Sequence, residues 1–255
     1  MRYDPVTRTA TRQAALQVLK LLADDTRWQL IDELRCSDRL VTELVARTGL
    51  AANLVSYHLG LLRQAGFVRV RRSEHDGRAQ YYALNRHALR QGCQQLNAVL
   101  QVNMPPSPPP AALSPVVFLC THNSARSQMA EGWLRHLSGG AVSVQSAGTA
   151  PRAVHPLAIQ VMAELGIDIS QQVAKHLQTL PDPLPGVVVT VCDNVRELCR
   201  PHLSAAVHLH WSVPAPSGLL VPGRDPVEVF RLVRDEVRDR VEGLLTLLAH
   251  TPATS

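Results

Sequence analysis

The chain has 255 residues and a net charge of +5, and 45% of its residues are apolar. A chain of this length makes one large domain or two small ones, and its apolar share excludes a disordered or collagen-like polymer. No run approaches the ~18 apolar residues of a membrane span, and Met1–Thr11 lacks the apolar stretch of a signal peptide, so a cytoplasmic protein without a membrane partner is expected.

In chain order, Ala14, Ala15, Val18, Leu19 and Leu22 recur at helical spacing, and Asp25-Thr26 opens a second helix through Leu34. Thr42–Thr48 is a short helix ended by Gly49, and Asn53–Gln64 is a longer amphipathic helix ended by Gly66. Phe67–Arg72 and Gln80–Leu84 alternate as strands around the turn Glu74-His75-Asp76-Gly77. Helix, turn, helix and β-hairpin in this order predict a winged helix-turn-helix. With Leu54, Leu61 and Leu62 facing the core, Asn53, Ser56, Tyr57 and His58 are expected near the outer face, where they reach base edges or phosphates. Arg69, Arg71, Arg72 and Arg78 on the hairpin suit backbone phosphates or the minor groove. Residues 1–104 carry 15 Arg and Lys against 9 Asp and Glu, whereas residues 105–255 carry 11 against 12. The basic excess lies wholly in the first part, and duplex DNA is the expected partner there.

Residues 12–100 resemble the ArsR/SmtB family of metalloid- and metal-responsive repressors, and Asn53-Leu54-Val55-Ser56-Tyr57-His58-Leu59-Gly60-Leu61-Leu62-Arg63 is similar to that family's recognition helix. The resemblance implies operator binding as a homodimer. Leu89, Cys93, Leu96 and Leu100, spaced 4, 3 and 4, make a helical stripe suited to the dimer interface. The inducer site of the arsenic-binding members departs: their Glu-Leu-Cys-Val-Cys-Asp pattern stands here as Glu33-Leu34-Arg35-Cys36-Ser37-Asp38. A soft trivalent metalloid wants about three thiolates, which Cys36 and Cys93 do not supply.

Six of the 18 prolines fall in 105–115, a stretch that can neither extend a helix nor join a sheet interior and reads as a semi-rigid spacer. The expected organisation is a winged helix-turn-helix and dimerisation domain over 1–104, a linker over 105–114, and a second domain over 115–255. Five cysteines, an odd number, argue for free thiols over a disulfide scaffold.

In the second domain, Val116–Leu119 is a fully apolar run read as a buried parallel strand, and an amphipathic helix runs from about Ser127 to Leu137. Between them stands Cys120-Thr121-His122-Asn123-Ser124-Ala125-Arg126-Ser127. Cys-x5-Arg alone is a weak motif, with about half a chance match expected from five cysteines and 24 arginines. Its context makes it strong. A small-residue loop between strand and helix aims backbone N–H groups at one point where an oxyanion sits, and Arg126 adds two parallel hydrogen bonds. The same groups favour the nucleophilic thiolate of Cys120. Further on, the apolar run Val187–Val191 ends in Cys192, and Cys199 lies seven residues later. Were 192–199 helical, the two Cα atoms would be about 10.5 Å apart. A disulfide needs roughly 4.4–6.8 Å. Such a bond requires the segment to unwind, as a redox relay would.

Residues 115–249 resemble the low-molecular-weight tyrosine phosphatase fold, and specifically its arsenate reductase branch, through these stretches and through Ser146-Ala147-Gly148-Thr149, Gly166-Ile167-Asp168-Ile169-Ser170 and His210-Trp211. The resemblance implies a doubly wound α/β domain with a small parallel sheet, and so a two-domain α/β chain. It implies that Cys120 attacks arsenate, that Cys192 displaces arsenite and that Cys199 takes over the disulfide. It also implies that Thr121, His122, Asn123, Ser124, Ala125, Arg126 and Ser127 hold the oxyanion. No bound cofactor is implied; thioredoxin or a similar thiol system is the reductant. The branch's general-acid Asp is replaced by Ala215 within His210-Trp211-Ser212-Val213-Pro214-Ala215-Pro216, and Asp225 substitutes only if its loop folds back. Arsenate sheds water readily, so its reduction suffers less from this loss than phosphate ester hydrolysis does. Some relatives hold potassium through Asn, Glu, Ser and Asp; Asn123, Glu131 and Ser146 match, but Lys175 stands at the Asp position and its ammonium is expected to fill that hole, so no metal is expected. The leading reading is an arsenic-resistance protein joining a transcriptional regulator to an arsenate reductase. The alternatives are a regulator whose second domain is an oxyanion sensor and, less favoured, a tyrosine phosphatase.

Overall fold

The computed structural model describes residues 5–100, 114–181, 184, 186–199 and 207–250, without the side chains of 5–12, Cys199 and His250. The chain forms two compact units whose main bodies precede and follow the proline-rich run, with Cys36–Asp38 and the hairpin tip Arg72–Ala79 counted in the second. Residues 105–113 of that run lie outside the described residues. No helix among them is long and apolar enough to cross a membrane.

The first unit runs α1 (Pro5–Leu22), α2 (Asp25–Leu34), α3 (Val41–Thr48), α4 (Ala52–Gln64), β1 (Val68–Arg72), β2 (Gln80–Leu84) and α5 (Arg86–Leu100). Its boundaries follow local chemistry. The Asp24 carboxylate accepts the Arg27 N–H at 2.9 Å and caps α2. The Glu43 carboxylate takes the Leu40 N–H at the start of α3, and Gly49 ends that helix in the left-handed region at φ 71°. Leu30, Leu34, Leu44, Val55, Leu59 and Leu62 form the buried centre. The expected order of helix, turn, helix and hairpin is present.

The second unit runs β3 (Val116–Cys120), α6 (Arg126–Leu137), β4 (Val144–Gly148), α7 (Pro156–Ala163), a 3-10 turn (Leu177–Thr179), β5 (Val187–Thr190), α8 (Asp193–Cys199), β6 (Val207–His210), α9 (Pro216–Leu219) and α10 (Pro226–His250). Its four strands pair in parallel in the order β4-β3-β5-β6. Each residue of β3 and β5 is buried, as unbroken apolar runs in a parallel sheet covered on both faces should be. The chain leaves β3 for β4 on one side and then crosses to β5 on the other. That reversal opens a crevice beyond the carboxyl ends of β3 and β5, where open α/β sheets bind ligands. Cys120 ends β3 and Cys192 follows β5 by two residues, so the topology brings both thiols to one crevice.

Candidate functional site

The loop after β3 is shaped by where its backbone groups go. The carbonyls of Thr121, His122 and Ser124 accept N–H groups from Ala150, Arg152 and His155 at 2.8–2.9 Å. With these carbonyls taken by the neighbouring loop, the 120–126 turn curls around the Cys120 sulfur. The Asn123 N–H donates to Cys120 Sγ at 3.1 Å, and Ser127 Oγ lies 3.0 Å from the same sulfur. Asn123 reaches φ 46°, the only positive φ at a non-glycine among the described residues, and its side chain accounts for this. Asn123 Nδ2 donates to Ser146 Oγ at 2.7 Å and Ser127 Oγ at 3.0 Å, and its Oδ1 accepts the Lys175 N–H at 2.7 Å. Gly148 lies so close behind the loop that a Cβ there would stand 2.6 Å from the Thr121 carbonyl oxygen.

Arg126 opens α6, and its guanidinium donates to the Val213 carbonyl at 2.7 Å. Burial opposes its charge, but the thiolate forms of Cys192 and Cys120 and the Glu74 carboxylate, 3.0 Å from its Nη1, raise its pKa above the ordinary value. Cys192 is fully buried, with Sγ 3.5 Å from Thr121 Oγ1. Burial first, and then Cys120, push its pKa up, against the pull of Arg126. Behind it, buried Asp193 lies 3.2 Å from His210 Nε2, and Thr190 Oγ1 lies 2.8 Å from His210 Nδ1. Burial raises the Asp193 pKa, but the hydrogen bond from His210 and further donors outweigh it and bring it to about 2. Cys199 ends α8, so Cys192 and Cys199 are separated by helix, the arrangement that precludes a disulfide until α8 opens. The Cys199 side chain lies outside the described residues.

The loop floors a cavity of about 450 Å³ whose walls include Cys120, His122, Arg126, Arg152, His155 and Ala215. Burial, then Arg152 and Arg126, lower the His122 pKa. Ala215, expected at the acid position, lines this cavity, and its methyl side chain offers no proton. Asp225 does not replace it: its carboxylate accepts the Val227 N–H at 2.9 Å at the start of α10. The Lys175 expectation is corrected too. Glu131 is held by the Arg135 guanidinium one turn along α6, at 2.5 Å, and not by the Lys175 ammonium. Among the described residues no group of three His, Cys, Asp or Glu side chains is arranged to hold a metal ion. Sequence reasoning missed Arg152 and His155. His155-Pro156 carried a local sign, since a capping side chain before Pro at the first helical position marks a helix start; nothing in spacing placed Arg152.

In the first unit, Asn53, Ser56 and Tyr57 are exposed on α4, with Tyr57 62% accessible. His58 is not. It is 8% exposed, packs inward with Val55, Leu59 and Leu62, and sits with Nδ1 3.6 Å from Asp24. Leu54, expected inside, is 37% exposed, and Leu61 is half-buried. Arg69, Arg72 and Arg78 are exposed and Arg71 is half-buried. On α5 the expected stripe divides: Leu89 and Leu96 pack against the unit's own core, while Cys93 and Leu100 are exposed. Cys36 is half-buried.

Residues 115–253 match the low molecular weight phosphotyrosine protein phosphatase family, and residues 24–79 match the MarR family. Over 127 residues the chain is 37% identical to an arsenate reductase of Halalkalibacterium halodurans, covering 50% of this chain and 91% of that protein. Over 134 residues it is 36% identical to the glutaredoxin arsenate reductase of Synechocystis sp., covering 52% and 98%. A solved arsenate reductase in the phosphate binding state is 35% identical, with a TM-score of 0.47, covering 53% of this chain and 99% of that one. The first unit thus carries a winged helix-turn-helix whose residues 24–79 are similar to the MarR family, and through its second unit, which makes up more than half its length, the chain belongs to the low molecular weight phosphotyrosine protein phosphatase family.

Proposed function

We propose that this is an arsenic-resistance protein in which a DNA-binding transcriptional regulator of ArsR type (1–104) is joined by a linker (105–114) to a thiol-dependent arsenate reductase (115–255). The observation that carries the reading is the placement of a second buried thiol, Cys192, against Thr121 of a loop that already surrounds the Cys120 sulfur with donors. A phosphatase of this fold needs the loop alone; a reductase needs the second thiol within reach.

The chemistry follows in order. The Cys120 thiolate attacks arsenic(V), and an As–OH leaves as water, giving a Cys120–arsenate adduct held by Arg126 and the N–H groups of 121–127. Cys192 then attacks the Cys120 sulfur. The As–S electron pair stays on arsenic, arsenite departs, and a Cys120–Cys192 disulfide remains. The order is supported electrostatically. Burial and Cys120 hold Cys192 as a thiol at first, and covalent capture of Cys120 removes that neighbouring charge, so Cys192 ionises when it is needed. Cys199 next attacks Cys192 as α8 unwinds, freeing Cys120 and leaving a Cys192–Cys199 disulfide for an external dithiol. Thioredoxin is the reductant we favour; the name of the Synechocystis relative makes glutaredoxin the competing one. The first unit dimerises and binds an operator through α4 and the hairpin arginines. Ala215 in the cavity favours one second reading, an oxyanion sensor that turns over slowly, and disfavours a tyrosine phosphatase, whose leaving group needs a proton.

Mass spectrometry of arsenate-treated Cys199→Ser protein tests the relay. A trapped Cys120–Cys192 disulfide after one turnover is expected. Wild-type turnover without that species would exclude the relay, and Cys120→Ser should abolish reduction.

A further inference from the structure

His155 holds a position in the cavity that neither the motif reading nor the relatives assign. It leads α7, where its Nδ1 accepts the Leu157 N–H at 3.2 Å. Its own N–H is bonded to the Ser124 carbonyl of the oxyanion loop at 2.9 Å, so the residue is tied to the loop it faces. Its ring lies on Phe230, with centroids 4.6 Å apart, and both side chains line the cavity with Cys120 and Arg126. An Nδ1 that accepts a backbone N–H cannot carry a proton, so the single proton of the neutral ring resides on Nε2. Nε2 has no hydrogen-bond partner among the described residues. Ala215 lines the same cavity with a methyl side chain, which offers no donor.

We infer that His155 is an oxyanion-binding residue: a neutral imidazole whose Nε2–H donates to an oxygen of the bound arsenate, adding one donor to those of Arg126 and the loop. This rests on the reductase reading. The ring acts as a donor and not as an acid, because protonating Nδ1 would set two N–H groups against each other at the start of α7. The proton stays on Nε2 throughout, and hydroxide leaves arsenic with a proton from solvent or from a second arsenate oxygen. A fixed neutral donor also fits the surroundings. Arg126 and Arg152 share the cavity with Cys120 and His122, and a third cation is not required to balance the oxyanion.

The test uses the full chain and inorganic phosphate, an oxyanion that the thiols do not reduce. Asn caps a helix as His155 does but has no atom at the Nε2 position, so H155N keeps the α7 start and removes the donor. H155F keeps the ring on Phe230 and removes both nitrogens. Both variants should bind phosphate about tenfold more weakly and lose about 100-fold in arsenate kcat/KM, as loss of one oxyanion donor does. In the wild type, the 15N resonance of His155 Nε2 should have the protonated, pyrrole-type shift and should move on phosphate titration. Wild-type phosphate affinity in H155N, an Nε2 signal that phosphate leaves in place, or recovery of wild-type binding in H155F, which would point to the stacked ring alone, each overturns the proposal. Wild-type protein that fails to reduce arsenate sinks the reductase reading and takes this proposal with it; a wild type that turns over beside an unaffected H155N sinks the proposal only.

Discussion

The eight-residue loop 120–127 and the 13-residue helix α4 are each singled out from residue types at short spacing, yet the structure treats the two readings differently. In the loop, Cys120, His122, Ser124, Ala125 and Arg126 line one cavity. In α4, one of four expected outward residues faces in and one of three expected core leucines faces out. The difference lies in what orients the side chains. The loop's carbonyls are tied to Ala150, Arg152 and His155, and Asn123 is pinned by Ser146, Ser127 and Lys175, so its backbone leaves one arrangement. A helix can satisfy all its backbone bonds at any rotation about its axis, and its facing is set only by what it packs against.

Gly148→Ala breaks the tight half of this comparison and carries the largest expected effect. The added Cβ would meet the Thr121 carbonyl at 2.6 Å, the Asn123 nitrogen at 2.9 Å and the Cys120 carbonyl at 3.0 Å, all backbone atoms. None can swing aside as a side chain would, so the loop itself must shift. A displacement approaching 1 Å costs on the order of 100-fold when geometry is the source of rate. Steady-state arsenate reduction at unchanged far-UV circular dichroism measures it. A variant with wild-type rate would show that the loop is not held in register by its neighbours.

Acid sensitivity sharpens the same half. Asp193 has its folded pKa lowered to about 2, against about 3.9 in an unfolded chain. A depressed carboxylate contributes stability that is fully present above the unfolded value and is lost as pH falls through the folded one, here from about pH 4 to pH 2. The difference is worth on the order of 2 kcal/mol, about a thirtyfold change in the folding equilibrium. Urea unfolding of the second unit at pH 5 and pH 2.5, compared between wild type and Asp193→Asn, isolates it. Equal losses in both proteins would mean that His210 does not hold the carboxylate ionised.

What was legible follows the same division. The strands Val187–Thr190 and Gln80–Leu84 and the helix Asp25–Leu34 could be read because apolar runs, alternation and capping Asp act within a few residues. The thiol set was legible because chemistry restricts which residues can do it. The facing of α4 was not, although position 58 stands four residues after Leu54, three after Val55 and four before Leu62. Either candidate apolar stripe includes it, so helical spacing alone places His58 inward, and only its polarity argued otherwise. Arg152 and His155 were illegible for another reason. They reach the cavity through backbone bonds to His122 and Ser124, 30 and 31 residues earlier, and no local pattern encodes that pairing. The α5 stripe is divided because an α5 residue can serve its own core as readily as a partner, and Leu89 and Leu96 are partly buried against that core.

The loose half of the comparison gives a DNA-binding prediction of intermediate size. Ser56→Ala with Tyr57→Ala removes exposed groups from the face that α4 presents, and a lost base contact costs roughly 1–3 kcal/mol. Operator affinity should fall about tenfold, with strong salt dependence retained from the arginines. His58→Leu, by contrast, should leave affinity within about twofold, because the ring is buried beside Asp24. Mobility shifts at two salt concentrations compare the three proteins. A loss confined to His58→Leu would restore the outward reading of that residue.

The smallest effect is expected at Ala215, where the sequence resemblance leads one to expect an acid. Ala215 precedes Pro216 at the first position of α9 and lines the cavity with Cys120. A carboxyl group there would protonate the departing oxygen, and such help matters in proportion to how poorly that oxygen leaves. Arsenate exchanges its hydroxyls readily, so Ala215→Asp should raise its reduction only about tenfold, well below the 10²–10⁴ range of general acid catalysis. Aryl phosphate hydrolysis should gain more, because an aryl oxide leaves badly without a proton. The two rates measured on one preparation, beside phosphate affinity, separate the reductase from the sensor. In a sensor the cavity would still bind phosphate through Arg126, yet arsenate reduction would stay at background, because no relay follows the first attack. A rise in both rates, larger for the ester, is the outcome that a slow but complete reductase requires.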